Sequence, residues 1–368
     1  MSDIGRQTLE EAELPIRTSR ELHEHLELAI QIELATVPPY LYAMYSIEDL
    51  GSEAALLLRS IVAEEMLHAA LVTNLLLATG GSPDFASTRY MTEFPTSLPH
   101  HDPPLAIDLE PCSDDLIERV FMRIEQPEAR DAPAQPDRFE TLGQFYHALE
   151  IGIEMLAETT DLFANPQESR QLSDPRFYRP VEMDADDSGG LVLVNDAESA
   201  REAIEIIIHQ GEGLSDERWA DPAHQELTHY NKLLQISRGI SPLGAVRPVR
   251  TNPLTNDFPP ALRPVSELFN AVFRGLFLVL GRVFEGNDQG KAVGTLYVLM
   301  ADVLAQLARF LVQQPIGGGQ FASPTFEIHE FATDHPLDEV IAWSERCAEA
   351  HPELSTVHEG LRGLGLIL

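Results

Sequence analysis

The stretch Ala63-Glu64-Glu65-Met66-Leu67-His68 sits inside a longer segment, Ser52 to Thr79, in which Ala54, Leu58, Ile61, Val72 and Leu75 recur at helical spacing. Ile61 precedes Glu65 by four residues, and Val72 follows His68 by four. Side chains three and four apart are neighbours on a helix. Glu65 and His68 therefore belong to the apolar stripe, where the core is expected, and not to the solvated face. A lone buried carboxylate is costly, and burial drives it to protonate. The pattern makes sense only if something compensates it.

Outward from this stretch, other helices carry acids in the same unusual place. The first helix begins near Thr18, with Glu21 at capping-box spacing, and Leu22, Leu26, Ile30 and Val37 mark its stripe. Glu33 falls on that stripe, three residues after Ile30 and four before Val37. Pro38-Pro39 predicts a kink or a break there. A third long helix spans roughly 142–164, and Glu150 lies between Tyr146 and Ile153 on its apolar face. A fourth runs from near Ala197 to the Gly211-Glu212-Gly213 break, where Glu212 follows Ile208 by four. Helix resumes from about Pro222 to Arg238, and there Glu226 and His229 form a second Glu-x-x-His pair ahead of Leu233 and Ile236.

Four-helix di-iron and di-manganese proteins take one Glu from each of two helices and a Glu-x-x-His from each of the other two. By spacing alone, Glu33, Glu65, His68, Glu150, Glu226 and His229 meet that rule. One such pair would be weak evidence, because acidic helices produce it by chance. Acids on the inward faces of four separate helices, in order, are much stronger. The competing reading is that some of them pair with Arg or sit at helix ends in water. Carboxylate with imidazole suits iron or manganese, and another divalent metal such as zinc is admitted.

Between these helices lie long irregular excursions. Residues 82–113 are rich in Pro, Ser and Asp, a short helix is expected at about 113–124, and 165–196 is again irregular. A Pro-containing linker at about 240–263 separates a second helical half, with an apolar stripe through Phe269, Val272, Phe273, Leu276, Leu280 and Val283 and another over 293–312. The expected organisation is a metal-binding bundle over 1–240 and a C-terminal helical region over 241–368 that packs on it. The fold class is all-α, with no convincing strand ladder.

The 59 acidic residues against 25 basic ones give a formal charge of −34, which argues against nucleic acid and anionic membrane as partners. Cys112 and Cys347 provide neither a disulfide framework nor a CxxC pair, so a metal must be held by oxygen and nitrogen. The N-terminal stretch has no apolar signal core, and unbroken apolar runs such as Leu276 to Leu280 are far below a membrane span. A cytoplasmic protein is expected. No phosphate-binding Gly-rich loop or Gly-x-Ser-x-Gly elbow is present. His147 and His209 precede Glu150 and Glu212 by three and are candidates for supporting roles. Tyr40, Tyr42, Tyr45 and Tyr146 are read as core residues, with electron relay as the minor alternative.

The run from Ile32 to Tyr42, Ala63 to His68, Phe145-Tyr146-His147-Ala148-Leu149-Glu150, Gln210-Gly211-Glu212-Gly213 and Thr228-His229-Tyr230 together resemble the ferritin-like domain of the iminophenylpyruvate dimer synthases. Those enzymes couple imines derived from tryptophan on the way to violacein and indolocarbazoles. The resemblance covers roughly 18–240. A looser match follows through Phe269-Asn270 and Ser323-Pro324-Thr325-Phe326-Glu327. It implies a ferritin-like four-helix bundle, and it shifts one ligand: Glu212, not Glu226, would partner His229. The implied metal set is Glu33, Glu65, His68, Glu150, Glu212 and His229, holding two irons.

The function expected is a metal- and O2-dependent oxidase or oxygenase acting on a small amino-acid-derived molecule, with a substrate and O2 as partners. Two alternatives belong to other classes. One is an iron-binding ferroxidase, which requires a large hollow homo-oligomer. The other is a non-catalytic bundle stabilised by metal.

Overall fold

The computed structural model describes residues 16–129, 132–179, 189–211 and 227–364. Helix α1 (Ser19–Ser46) opens with the capping box anticipated from Thr18 and Glu21: the Glu21 amide donates to Thr18 Oγ1 at 3.1 Å, and the Thr18 amide returns to Glu21 Oε2 at 3.1 Å. Of the expected kink or break, no break occurs: α1 runs on through Pro38 and Pro39 as one helix. A proline inside a helix removes one ladder bond and leaves a carbonyl behind. Here every residue from Glu33 to Tyr40 is buried, so packing on all sides holds the helix together across the lost bonds.

Helix α2 (Glu53–Ala78) is capped by Ser52 and follows α1 after a short connection, which makes the two helices packed neighbours. It is buried nearly throughout, its polar Glu64, Glu65 and His68 included. Helix α3 (residues 114–124) is α-helical at Asp114–Leu116 and Met122–Ile124, with a π-helical stretch at Ile117–Phe121 between them. Helix α4 (Leu142–Thr159) ends five residues short of the expected limit, and α5 (Ala197–Gly211) packs against α4 and α2. Helix α6 (His229–Ser237) begins at an N-cap, Thr228, and packs against α2 and α3. Helices α1, α2, α4 and α5 form the bundle, and α3 with α6 covers one flank of it. The only paired strands among the described residues are two small hairpins, Thr96–Ser97 with Ala106–Ile107 and Pro315–Gly317 with Gln320–Phe321.

In the second half, α7 (Arg263–Val283) packs on α8 (residues 289–311, π-helical at Val298–Leu304) and on α9 (Pro336–Ala350), while α10 (Ser355–Gly363) lies against α8 and α9. Tyr42 of α1 donates to the Arg250 carbonyl and contacts Ser323 Oγ at 2.9 Å, and Arg274 of α7 donates to the Phe85 carbonyl at 3.2 Å. The two loosely matching motifs of this half meet in space: Asn270 Nδ2 donates to Thr325 Oγ1 at 2.8 Å, and the Phe269 and Phe326 rings meet edge to face at 5.1 Å.

The unbroken-run criterion for membrane spans needs correcting. Helix α2, helix α7 and residues 289–311 are each long and apolar enough to cross a membrane by length and composition, because such a segment tolerates a few interspersed polar residues. Within the protein, 89% of the apolar window of α2 and 78% of that of α7 are buried against other helices.

Candidate metal centre

Three of the sequence-derived residues meet where α1 faces α2. Glu33 Oε2 lies 3.3 Å from His68 Nδ1, and Glu65 Oε2 lies 3.7 Å from the same nitrogen. From α6, His229 turns Nδ1 to within 3.3 Å of Glu65 Oε1. The fifth member is Glu125, at the C-terminal end of α3, whose Oε2 is also 3.3 Å from His229 Nδ1. All five side chains are almost completely buried. They form two triplets, Glu33–Glu65–His68 and Glu65–Glu125–His229, and Glu65 belongs to both.

Local structure explains each placement. Glu65 and His68 are one turn apart on α2, so they share a face. His229 is the first residue of α6, where the Thr228 cap fixes the start of the helix. Glu125 is anchored by Tyr40, whose hydroxyl donates to Oε1 at 2.5 Å and whose ring packs on Phe121 at 4.5 Å. Tyr146 donates its hydroxyl to Glu33. The nitrogens facing away from the cluster are also engaged: His68 Nε2 bonds Gln210 Oε1 at 2.9 Å, and His229 Nε2 bonds Glu64 Oε2 at 2.8 Å.

Electrostatics show a shortage of positive charge at the centre. Burial, and then the Glu125 carboxylate, push the Glu65 carboxyl up to about 7. For His68, burial acts to lower the pKa but is outweighed by hydrogen bonding to Glu33 and Glu65, and the imidazole rises to about 9. His229 likewise rises well above its usual range: burial opposes the shift, and Glu125 is the leading cause of it. Burial and adjacent carboxylates hold the Tyr40 and Tyr146 phenols far above theirs. Without a cation, protons must supply the missing charge.

The geometry fits a metal better than it fits protons. His229 Nδ1 is buried and makes no hydrogen bond despite two carboxylate oxygens at 3.3 Å. A buried nitrogen left so is uncommon, and a ligand lone pair aimed at an ion accounts for it. Carboxylate and imidazole donors suit iron, manganese or zinc. A cavity of about 20 Å³ opens beside the cluster, lined by Glu33, Glu65, His68 and Glu125 with Leu142, Tyr146 and Gly211. That volume admits a water-sized group.

Not every expected residue is here. Glu150 is not brought to the cluster. It is one turn beyond Tyr146 on α4, 26% exposed, and its carboxylate lies 3.6 Å from Arg201. Four residues advance a helix slightly more than a full turn, so Tyr146 takes the inward position and Glu150 the edge. Its neighbour His147 pairs with Glu128 at 3.0 Å. Glu212 and Glu226 both lie outside the described residues. Glu125 was missed because the expected helix stopped at Ile124. The sequence signal was its spacing, four residues after Phe121 and eight after Ile117.

Known proteins place this architecture. The chain is 26% identical to the 2-imino-3-(indol-3-yl)propanoate dimerase of Chromobacterium violaceum over 84% of its own length and 34% of the relative's. It is 24% identical to the dichlorochromopyrrolate synthase of Lentzea aerocolonigenes over 86% of its length and 36% of that protein's. The chain thus spans about a third of the length of these curated relatives. A solved ferritin-like protein from Caulobacter vibrioides superposes with a TM-score of 0.59 at 27% identity, covering 80% of this chain and 96% of that one. The Ferritin-like family matches residues 26–238, more than half of the sequence, and the chain belongs to that family.

Proposed function

We propose that the cluster is a dinuclear centre, with iron as the metal, and that the protein is an oxidase or oxygenase acting with O2 on a small amino-acid-derived substrate. The observation that carries this reading is the pair of triplets sharing Glu65, with an imidazole nitrogen in each turned toward the carboxylates. Glu33 and His68 would hold one ion, Glu125 and His229 the other, and Glu65 would bridge them. Iron held there would supply redox chemistry with O2.

The chain's own residues would set the conditions for that chemistry. Tyr40 and Tyr146 keep their protons and donate to Glu125 and Glu33, which fixes one oxygen of each carboxylate and leaves the other for the centre. Burial of all five donors excludes bulk water and strengthens every charge interaction inside. The 20 Å³ cavity has room for O2 but not for an aromatic amino-acid derivative. Substrate would therefore be met outside this cavity, whose apolar lining includes Leu142, Ile207 and Ile208. The names of the curated relatives support an imine of an aromatic amino acid as the first substrate to try.

The test is metal analysis after anaerobic reconstitution with ferrous iron, followed by O2 uptake with 2-imino-3-(indol-3-yl)propanoate. About two ions per chain are expected, and Glu65→Ala should lose both the metal and the turnover. Turnover by metal-free protein or by Glu65→Ala would overturn the reading. So would wild-type protein that takes up no metal.

A further inference from the structure

The two histidines of the cluster are supported by different groups. His68 Nε2 meets the neutral amide of Gln210 at 2.9 Å. His229 Nε2 meets Glu64 at 2.8 Å, and Glu64 is itself clamped: Lys232 Nζ donates to its two oxygens at 2.6 and 2.5 Å, and Ser60 Oγ donates to Oε1 at 2.9 Å. Lys232 also donates to Ser60 Oγ at 2.9 Å. Glu64, Lys232, His229 and Ser60 are all buried. A buried lysine is rare and costly unless it is paired. Here its pairing holds a carboxylate against the back of a histidine.

We infer that Glu64, held by Lys232 and Ser60, is a positioning residue for His229 and makes the Glu65–Glu125–His229 triplet bind a divalent ion first and more tightly than the Glu33–Glu65–His68 triplet. An anionic acceptor fixes His229 with its proton on Nε2 and its lone pair on Nδ1, and it raises the donor strength of that lone pair. A neutral amide does less for His68. Lys232 has a separate part: its two hydrogen bonds keep Glu64 ionised and hold that carboxylate behind the imidazole, so that it does not compete for the metal.

This inference rests on reading the cluster as a metal site. The test is anaerobic titration of the full chain with Co(II), read by calorimetry and by ligand-field absorption, with circular dichroism as the check on folding. Wild type should bind in two steps of unequal affinity. Glu64→Gln should weaken the tighter step by about ten- to a hundredfold and shift the absorption of the first equivalent only. Glu64→Asp should restore part of the loss. Gln210→Glu should strengthen the weaker step and bring the two together, an outcome that a misfolded variant could not imitate. Folded Glu64→Gln protein with both affinities within about twofold of wild type would overturn the inference while leaving the metal centre standing. Gln210→Glu acting on the tighter step would do the same. Wild-type protein that binds no Co(II) would overturn both.

Discussion

Helices α1 and α2 each present two buried faces made of opposite materials. One face carries Glu33, Glu65 and His68 into the cluster. The other carries Leu34, Val37, Leu41, Val62 and Met66 into an apolar cavity of about 90 Å³, closed from the far side by Phe273, Leu276, Phe277 and Leu280 of α7 with Met300 and Leu304 of α8. The apolar face gains stability from packing, and its residues are interchangeable within limits of volume. The charged face costs stability, and its residues are interchangeable with nothing that cannot hold the same ion. Leu34, Val37 and Val62 are buried as Glu33, Glu65 and His68 are, so burial alone does not reveal which face carries function.

The sharpest way to separate the faces is to cut into the apolar one. Phe277 is buried and packs edge to face on Phe273 at 5.4 Å. Phe277→Ala should cost about 3–5 kcal/mol in chemical denaturation, because it removes a large apolar side chain beside an existing cavity. Metal stoichiometry should not change. Lost metal without lost stability would mean that the faces are coupled.

The charged face predicts a pH dependence of the metal-free protein, and its sign follows from the shifts. The Glu65 carboxyl titrates at 4.5 when unperturbed and near 7 when folded, so its contribution to stability is full below about 4.5 and is lost as pH rises through 7. His68 moves from 6.5 to about 9, and its contribution is lost as pH rises through 9. Both act in the same direction. Each shift is worth about 2.5–3 kcal/mol over this range, so metal-free protein should lose on the order of 5 kcal/mol of stability between pH 5 and 9. Glu64 works the other way at the acid end. Burial tends to raise its carboxyl, but Lys232 and His229 together outweigh burial and hold it at about 2, so its contribution is present above 4.5 and is lost toward pH 2. Bound metal needs its ligands deprotonated, so loading the site should flatten or invert the alkaline slope. Thermal unfolding with and without metal across that range would show it. A metal-free protein as stable at pH 9 as at pH 5 would contradict the charge shortage.

Much of this was legible in the sequence, because the cost of burying an acid leaves a mark in the pattern. Glu33, Glu65 and His68 stand on stripes of Leu, Ile and Val, and the structure brings them together. The same rule misplaced Glu150, because periodicity finds a stripe but not the depth of each residue along it, and the edge of a stripe can meet an arginine. Glu125 was hidden for the opposite reason. It ends a short helix just before Pro127, where an acid ordinarily meets water. Here it follows a π-helical turn of α3 and is held in the interior by the hydroxyl of Tyr40 and by His229. The part played by Glu64 was also out of reach. It adjoins Glu65 in sequence, and its partner Lys232 is 168 residues away.

The smallest expected effect tests whether the apolar cavity is a packing fault. Val62 lines it from α2 and is 7% exposed. Val62→Leu adds one methylene to space that already exists and replaces a β-branched residue in a helix with a better helix former. Both changes favour the fold, and together they should raise stability by about 1 kcal/mol. The cluster side of α2 should not respond, so Co(II) binding should stay as in wild type. A loss of stability would mean that the space is filled or collapsed in solution. The face taken here as mere packing would then have contents of its own, and the contrast between the two faces of α2 would narrow.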